Sequence, residues 1–402
     1  MQLLVLEINR RKQLFLESNP QAQLISLGIG DTTEPIPSAI AQQMAEFTLK
    51  LETNEGYRGY GPEQGYTELR QAIVDTLYKP CKNILRSDEI FVSDGAKCDI
   101  GRLQVLFGSQ ATIAVQDPSY PVYIDTSVAI GQSGHFEPQS QRYQNIHYLD
   151  CHPSNDFFPD LANLPPVDLI YFCSPNNPTG AVATHKQLAQ LVEYAHIHKS
   201  IIIFDAAYSH FIQDPTLPRS IYEIPGAKQV AIELGSFSKM VGFTGVRLAW
   251  SVIPKELTFD EGYPLYQDWN RMHTTFFNGA CAISQIGGLA TLTPKGQADM
   301  QTLIAYYMEN ATLLKEVFLD FDFPVYGGIN APYLWVHFPS KNSWELFDHL
   351  LKQAHIICTP GCGFGPNGNG FVRLSAFGHR TNILKACERL KLFLLEQVSL
   401  CS

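Results

Sequence analysis

The chain has 402 residues, of which 45% are hydrophobic and 17% are charged, a composition typical of a globular protein with one large or two moderate cores. Its formal net charge of -10 at pH 7 argues against a nucleic-acid-binding surface. No apolar run approaches the roughly 18 residues that a membrane span requires.

The first residues and the cysteines predict neither targeting nor metal binding. The start, "MQLLVLEINRRKQLF", turns charged by Glu7 and lacks the basic leader and long apolar core of a signal peptide. The nine cysteines form no CxxC pair, and Cys358 and Cys362, four apart in "CTPGC", have no second ligand pair. We therefore expect reduced, buried thiols, a cytoplasmic protein and no metal site.

The stretch "VSDGAKCDIGRL" (92–103) is the first in chain order that suggests chemistry. It predicts a strand followed by a helix that opens at a Gly-Ala pair. Free backbone N–H groups at a helix start bind phosphate, and Lys97 adds positive charge close by. The alternative is an ordinary helix capped by an aspartate.

Four apolar runs that end in turn residues predict strands of one sheet. An amphipathic helical stretch (184–199) lies between two of them. Continuously apolar strands that alternate with such helices indicate a mostly parallel sheet covered on both faces. The runs are "ATIAVQDPSYP" (111–121), "VDLIYFCSPNNPTG" (167–180), "SIIIFDAAYS" (200–209) and "QVAIELGSFSK" (229–239).

Polar side chains follow the carboxyl ends of these predicted strands. Ligands of open α/β sheets bind at that edge, so the sequence predicts a ligand site there. The residues concerned are Asp117, Tyr120, Asn176, Asn177, Asp205, Tyr208, Ser236, Ser238 and Lys239.

Two of these strand ends suggest contacts to an aromatic ring. Asp205 ends a buried run, where a carboxylate needs a cationic or donor partner. It is either a helix N-cap or the partner of a protonated pyridine nitrogen, which makes that ring an electron sink. Tyr208 is either a packing residue or a donor to the ring's phenolic oxygen. Asn177 offers an amide to a ring oxygen from the rigid turn "CSPNNPTG", although such turns are frequent without function.

The stretch "GSFSKMVGFTGVRLAW" (235–250) holds a single lysine, Lys239. Lysines are rare in buried positions unless paired or used, and a desolvated amine can form a Schiff base with a carbonyl. Ser236, Ser238 and Arg247 could together hold a phosphate. The alternative is a surface lysine on a polar turn.

The last third of the chain predicts a smaller α+β domain. We expect a large domain over 46–280 and a small domain formed by 1–45 and 281–402. The Gly-rich "TPGCGFGPNGNG" (359–370) is a loop before a strand and not a strand-turn-helix phosphate loop, so no dinucleotide site is expected. Helices are predicted over 301–321, 343–354 and 382–398, and strands over 333–339 and 370–377.

In order, these motifs resemble a fold-type I pyridoxal-phosphate aminotransferase of the class I and II group over nearly the whole chain. The ordered set is Gly-Ala-Lys, Asp-Pro-Ser-Tyr-Pro, Asn-Pro-Thr-Gly, Asp-Ala-Ala-Tyr, Ser-x-Ser-Lys and Arg. Within that group, local stretches resemble the LL-diaminopimelate aminotransferases, and "RGYGPEQGY" with "SDGAK" is the more discriminating pair. The resemblance implies an α/β fold, pyridoxal 5'-phosphate as cofactor, and a homodimer with shared active sites.

The resemblance also implies roles for residues that match the family's motifs. Lys239 would bind the cofactor covalently and move protons, Asp205 would pair with the pyridine nitrogen, and Tyr120 would stack on the ring. Arg373, in "GFVRLS", would clamp the substrate α-carboxylate. The implied cofactor contacts are Tyr60 from the partner subunit, Ala96, Lys97, Tyr120, Asn177, Asp205, Tyr208, Ser236, Ser238, Lys239 and Arg247.

The far end of LL-diaminopimelate carries a second ammonium and a second carboxylate. Glu63, from the partner subunit, would pair with that ammonium, or alternatively would only cap the helix of "PEQGYTELR". Lys97, Asn278 and the backbone at Gly30 would help to bind the far carboxylate. At about the place of a tyrosine that helps to close the site in relatives, this chain has Leu3. The implied substrate contacts are Gly30, Glu63, Lys97, Tyr120, Asn177, Asn278 and Arg373.

These roles imply the interconversion of LL-diaminopimelate plus 2-oxoglutarate with tetrahydrodipicolinate plus glutamate, which supplies lysine and peptidoglycan precursors. The first alternative is an aspartate or broad-specificity aminotransferase on the same fold, against which Glu63 and Lys97 argue. The second is another reaction of the same cofactor, such as β-elimination. The third is a non-catalytic effector-sensing domain of a transcription regulator, which the acidic charge does not favour.

Overall fold

The structure, a computed structural model, describes residues 2–259, 262–339 and 341–401, without the side chains of residues 2–3 and 398–401. Its helices are α1 (Gln2–Ser18), α2 (Ser38–Lys50), α3 (Thr67–Leu77), α4 (Ala96–Phe107), α5 (Val122–Ala129), α6 (His185–His198), α7 (Phe237–Met240), α8 (Leu265–Phe276), α9 (Ala282–Leu292), α10 (Pro294–Leu319), α11 (Ser343–His349) and α12 (Arg380–Cys401). None of these helices combines the length and the apolar character needed to cross a membrane.

The strands form one large sheet, one smaller sheet and two short pairs. They are β1 (Ile25–Ser26), β2 (Ile90–Ser93), β3 (Ile113–Asp117), β4 (Phe136–Glu137), β5 (Arg142–Tyr143), β6 (Ile146–Asp150), β7 (Leu169–Cys173), β8 (Ile201–Asp205), β9 (Ala231–Ser236), β10 (Ala249–Val252), β11 (Val325–Gly327), β12 (Tyr333–His337), β13 (Ile356–Ile357), β14 (Thr359–Pro360) and β15 (Phe371–Ser375).

The large sheet has seven strands in the order β2-β10-β9-β8-β7-β3-β6. Strands β6, β3, β7, β8 and β9 pair in parallel, whereas β10 runs antiparallel to both of its neighbours. The four apolar runs contain β3, β7, β8 and β9, so their prediction as strands is confirmed. The registers pair Cys173 with Asp205 and Asp205 with Leu234, which brings the carboxyl ends of three strands side by side.

Both faces of this sheet are buried, as the apolar runs predicted. Alternate residues of one strand point to opposite faces. In β8, Ile202 and Phe204 therefore belong to one hydrophobic cluster, while Ile201 and Ile203 belong to another. The prediction of a mostly parallel α/β sheet covered on both faces is confirmed.

The last third contains a four-stranded antiparallel sheet in the order β11-β12-β15-β14. Helix α10 begins seven residues before the predicted start at 301, because Thr293 caps it through a hydrogen bond from the Gly296 N–H. The predicted loop 359–370 contributes two residues to this sheet as β14. Near the start of the chain, β1 pairs in parallel with β13. The division at 46 and 280 stays a prediction.

Candidate active site

Lys239 lies in the short helix α7, directly after β9. The side chain of Ser236 caps this helix by accepting a hydrogen bond from the Ser238 N–H. The Lys239 amine donates to the carbonyl oxygen of Gly30 and lies 5.7 Å from the ring centroid of Phe377. The alternative of an exposed surface lysine is therefore wrong.

Burial changes the chemistry of this amine. Desolvation is the main cause that lowers the pKa of Lys239 to about 8, with Asp31 acting in the opposite direction. A charged amine is penalised in a poorly hydrated site. The neutral, nucleophilic form is therefore accessible much closer to neutral pH than in a solvated lysine.

We expect this pKa to set the pH dependence of aldehyde addition to the cofactor-free protein. Only the neutral amine attacks, so the rate at which the protein takes up the aldehyde that the resemblance implies, pyridoxal 5'-phosphate, should rise with pH, with its midpoint at about 8. Absorbance-monitored uptake between pH 6 and 10.5 measures this rate, and Lys239→Ala should abolish the covalent phase. A midpoint near the ordinary value of 10.5 would contradict the assigned burial effect.

A cradle for an anion lies next to Lys239 and is built from two elements. Helix α4 begins at Ala96 after Gly95, whose φ of +143° and missing side chain leave room for the guanidinium of Arg247. A Cβ atom on Gly95 would collide with Arg247 Nη2. Arg247 in turn donates to the Ser238 hydroxyl over 3.4 Å.

The cradle matches what a phosphate group requires. It combines free N–H groups at a helix start, a guanidinium and two serine hydroxyls. No side chain caps α4, whose N-cap is Gly95, so the alternative of an aspartate-capped helix is wrong. Lys97, in the first turn of α4, is exposed.

Asp205 is buried at the carboxyl end of β8, where both of its carboxylate oxygens accept hydrogen bonds. The Tyr123 hydroxyl donates to Oδ2 over 2.7 Å, and the Ala207 N–H donates to Oδ1 over 3.0 Å. Desolvation raises the pKa of Asp205, and these two donors act against the rise. No α-helix begins at Asp205, so the N-cap alternative is wrong. A buried carboxylate held in this way suits a cationic partner.

Tyr123 was not predicted as a site residue. It lies on α5, three residues after Tyr120, and its ring stacks on Tyr171 with centroids 5.2 Å apart. The repeated tyrosine in "SYPVY" was the available signal. The contact with Asp205 depends on how α5 packs on the sheet, which the spacing alone does not specify.

Arg373 is 94% buried on β15, since only 6% of it is exposed. Its Nη1 donates to Asn177 Oδ1 over 2.7 Å, and its Nη2 donates to the Gly28 carbonyl over 2.7 Å. Its guanidinium carbon lies 4.4 Å and 4.9 Å from the ring centroids of Tyr333 and Phe364. The remaining donor, Nε, has no partner among the described residues. A planar, buried guanidinium with a free donor suits a carboxylate ligand.

Tyrosines line the space between Arg373 and Lys239. The Tyr208 and Tyr333 hydroxyls lie 2.6 Å apart, and both residues are buried. Tyr120 packs edge-on against Tyr123, with ring centroids 6.0 Å apart. Tyr333 also lies against Gly30, where a Cβ atom would meet its hydroxyl. Tyr333 was not predicted, because it begins an ordinary apolar strand and its contact with Tyr208 depends on how that strand packs.

Of the residues predicted for the far end of the substrate, Gly30 contacts Lys239 and Lys97 lies in the first turn of α4, whereas Glu63, Asn278 and the predicted phosphate contact Tyr60 make no contact with the central residues of the site in the part of the chain that the structure describes. Tyr60 is 88% exposed, Lys97 and Asn278 are exposed, and Glu63 is half-buried. None of their side chains hydrogen-bonds to Lys239, Asp205 or Arg373 within the described ranges. Tyr66 occupies the N-cap position of α3 and no side chain caps the helix, so the alternative that Glu63 caps this helix is wrong. The Leu3 side chain lies outside the described residues.

Comparisons with known proteins agree with this geometry. Residues 22–390 match the family model for aminotransferase class I and II. The chain is 56% identical over 390 residues to the LL-diaminopimelate aminotransferase of Protochlamydia amoebophila, covering 97% of this chain and 94% of that protein. It is also 56% identical to the chloroplastic enzyme of that name from Arabidopsis thaliana, with 96% and 83% covered.

A solved structure is also similar to this chain over nearly its whole length. The L,L-diaminopimelate aminotransferase of Chlamydomonas reinhardtii superposes with a TM-score of 0.92 at 54% sequence identity. The match covers 97% of this chain and 95% of that one. A match of this extent includes both the large sheet and the smaller one.

Proposed function

Because the chain belongs to the family of class I and II aminotransferases, we propose that it transfers an amino group from LL-diaminopimelate to 2-oxoglutarate. The products are glutamate and, after loss of water on ring closure, tetrahydrodipicolinate. The identity to proteins of that activity over nearly the whole chain carries the choice of substrate. The buried Lys239 between the anion cradle and Arg373 supports the type of reaction.

The family's cofactor, pyridoxal 5'-phosphate, fits the residues of this site. When bound, it supplies an aldehyde that condenses with amines and a ring that withdraws electrons. The cradle of Ser236, Ser238, Arg247 and the α4 N-terminus would hold its phosphate. Asp205 would face its ring nitrogen, and Tyr120, Asn177 and Tyr208 would contact its ring and phenolic oxygen.

The side chains around this group would bind the substrate and move its protons. Arg373 would bind the substrate's α-carboxylate through Nε, which has no partner among the described residues, and through the second hydrogen of a terminal nitrogen. The Lys239 amine would take the proton from the substrate's α-carbon and return it to the cofactor carbon on the other side of the transferred nitrogen. Its lowered pKa favours the neutral form that this step needs. Burial of Tyr208 and Tyr333 excludes water from the same space.

We further propose a homodimer in which each subunit completes the other's site. Two aromatic side chains close together in this stretch support this, because Tyr57 and Tyr60 are 68% and 88% exposed and aromatic side chains are enriched at protein interfaces. Glu63 would then pair with the distal ammonium of the substrate. Lys97, Asn278 and the Gly30 backbone would bind its distal carboxylate. A cytoplasmic location, a role in lysine and peptidoglycan precursor supply, and the domain division at 46 and 280 belong to the same proposal.

Donor specificity tests the proposed substrate. We expect purified protein loaded with cofactor to prefer LL-diaminopimelate over its meso isomer, aspartate and lysine as donor to 2-oxoglutarate, with the cyclic product trapped by an aldehyde reagent. Glu63→Gln, which removes one charge at nearly constant shape, should lower kcat/KM for LL-diaminopimelate by roughly 10²-fold, because a polar group in the site loses its partner.

The neighbouring Glu68 provides the matched control. It lies in the first turn of α3 and is exposed, so Glu68→Gln should leave the donor preference unchanged. Comparable rates with aspartate and LL-diaminopimelate in the unsubstituted protein would contradict the proposed substrate and favour a broad-specificity aminotransferase.

A further inference from the structure

His273 is a fully buried histidine of α8 that the proposed chemistry does not use. Its Nε2 lies 2.9 Å from the backbone carbonyl oxygen of Glu63. A carbonyl oxygen can only accept, so Nε2 must carry the hydrogen. Desolvation lowers the pKa of His273 to about 4, so the ring is neutral near pH 7. Its Nδ1 is then unprotonated, and it has no partner among the described residues.

The direction of this N–H group is fixed by aromatic packing. The His273 ring centroid lies 5.5 Å from that of Phe91, 5.8 Å from that of Trp269 and 5.1 Å from that of Phe277. A ring enclosed by three aromatic side chains cannot turn its donor away without losing those contacts. The hydrogen bond to Glu63 is therefore imposed by the core and not by a flexible surface side chain.

The chain that follows α8 holds the same segment from a second side. Gly279 has a φ of +93°, and a Cβ atom there would lie 3.2 Å from the Pro62 carbonyl oxygen and 3.3 Å from Glu63 Cα. Asn278 is thus in the segment that packs directly against Glu63. A larger residue at 279 would separate the two segments.

The group formed by His273, its aromatic neighbours and the segments around Glu63 and Gly279 is also connected to the anion cradle. The Arg102 guanidinium lies 4.4 Å from the ring centroid of Phe277 and forms ion pairs with Asp94 and the buried Asp99. Asp94 directly precedes Gly95 at the start of the cradle. One continuous set of contacts therefore runs from the cradle through Phe277 to His273 and Glu63.

We propose that His273 is a specificity-positioning residue that holds Glu63 and Asn278 in a fixed relation, so that they recognise the distal ammonium and carboxylate of a diamino dicarboxylic acid. This inference rests on the proposed function. Glutamate has no distal ammonium, so the placement of Glu63 matters for one half of the transamination and not for the other. A small displacement of a positioned group is enough to weaken such discrimination.

The two half-reactions of the purified, cofactor-loaded protein, one with LL-diaminopimelate and one with glutamate, test this role. The concentration dependence of the single-turnover rate gives a limiting rate constant and a half-saturating concentration for LL-diaminopimelate alone and for glutamate alone, and the ratio of the two quantities equals kcat/KM. His273→Phe keeps an aromatic ring in the cage but removes the N–H donor. We expect it to lower kcat/KM for LL-diaminopimelate about tenfold relative to glutamate, mainly through a higher half-saturating concentration. His273→Gln places an amide N–H donor at a similar distance from the backbone. It should recover most of the ratio of kcat/KM for LL-diaminopimelate to kcat/KM for glutamate.

Phe91→Leu is the matched control, because it disturbs the same cage but leaves the donor in place. It should lower the thermal unfolding temperature. It should change the ratio of kcat/KM for LL-diaminopimelate to kcat/KM for glutamate less than His273→Phe does. The inference is overturned if both half-reactions of His273→Phe fall by one factor, if neither changes, or if Phe91→Leu alters the ratio equally. A protein with unchanged sequence that shows no preference for LL-diaminopimelate would instead contradict the proposed function.

Discussion

Lys239→Ala is expected to lower the aminotransferase kcat by roughly 10⁴-fold or more, because it removes both the nucleophilic amine and the only proton carrier proposed at the reacting carbon. Lys239→Arg should be equally inactive, since a guanidinium keeps the charge but does not lose its proton near neutral pH. Steady-state turnover of LL-diaminopimelate with 2-oxoglutarate measures the loss. Both variants should keep the fold, which circular dichroism and thermal unfolding can show.

Lys315 offers a closely matched control for this substitution. Its amine also donates to a glycine carbonyl, that of Gly327, over 2.8 Å, and burial also lowers its pKa. It lies on α10, outside the proposed site. Lys315→Ala should therefore cost stability but leave kcat within about threefold of the original value. Turnover by Lys239→Ala comparable with that of Lys315→Ala would show that another group performs the chemistry.

Arg373→Gln is expected to lower kcat/KM for both LL-diaminopimelate and 2-oxoglutarate, because each substrate has an α-carboxylate. Truncating one partner of a buried, hydrogen-bonded charge pair costs about 2–5 kcal/mol, or roughly 30-fold to 5,000-fold. Arg373→Lys keeps the charge but loses the planar fork and the contact with the rings of Tyr333 and Phe364, so we expect it to restore only part of the loss. Initial rates over a range of both substrates measure the effect.

A second stacked arginine separates this role from general packing. The Arg380 guanidinium lies 4.9 Å from the ring centroid of Tyr306 and pairs with Glu309, much as Arg373 stacks on Tyr333. Arg380→Gln should lower stability modestly and leave KM for both substrates unchanged. An equal rise in KM for the two variants would mean that Arg373 acts on the fold and not on the substrate.

The sequence was informative where a functional residue ends a regular element. Asp205 and Lys239 follow apolar strands of a parallel sheet, and the carboxyl ends of such strands meet at one edge whatever the details of packing. Gly95 and Ala96 could be predicted as a phosphate-binding helix start, because the first N–H groups of any helix lack partners within that helix. These features depend on local periodicity, which the sequence shows directly.

The sequence was less informative where a side chain acts through an element packed from far along the chain. Tyr123 contacts Asp205 because of the way α5 packs on the sheet. Tyr333 contacts Tyr208 because β12, from the last third of the chain, packs beside it. His273 lies in the middle of an ordinary amphipathic helix, and no motif marks it. The antiparallel insertion of β10 was likewise not predicted, because four residues do not reveal the direction in which a strand pairs.

That inserted strand has a consequence for how the protein is made. Ala249 at the start of β10 is paired with Ser93 on one side and with Ser236 on the other, so this strand joins the strands that lead into the two halves of the anion cradle. The pairing of β2 with β10 closes a loop of more than one hundred and fifty residues, a slow, entropically costly event in folding. A nascent chain on the ribosome cannot assemble the cradle until residue 252 has emerged. We therefore expect cofactor capture to follow closure of this sheet, and free cofactor to stabilise only the chain whose sheet has closed.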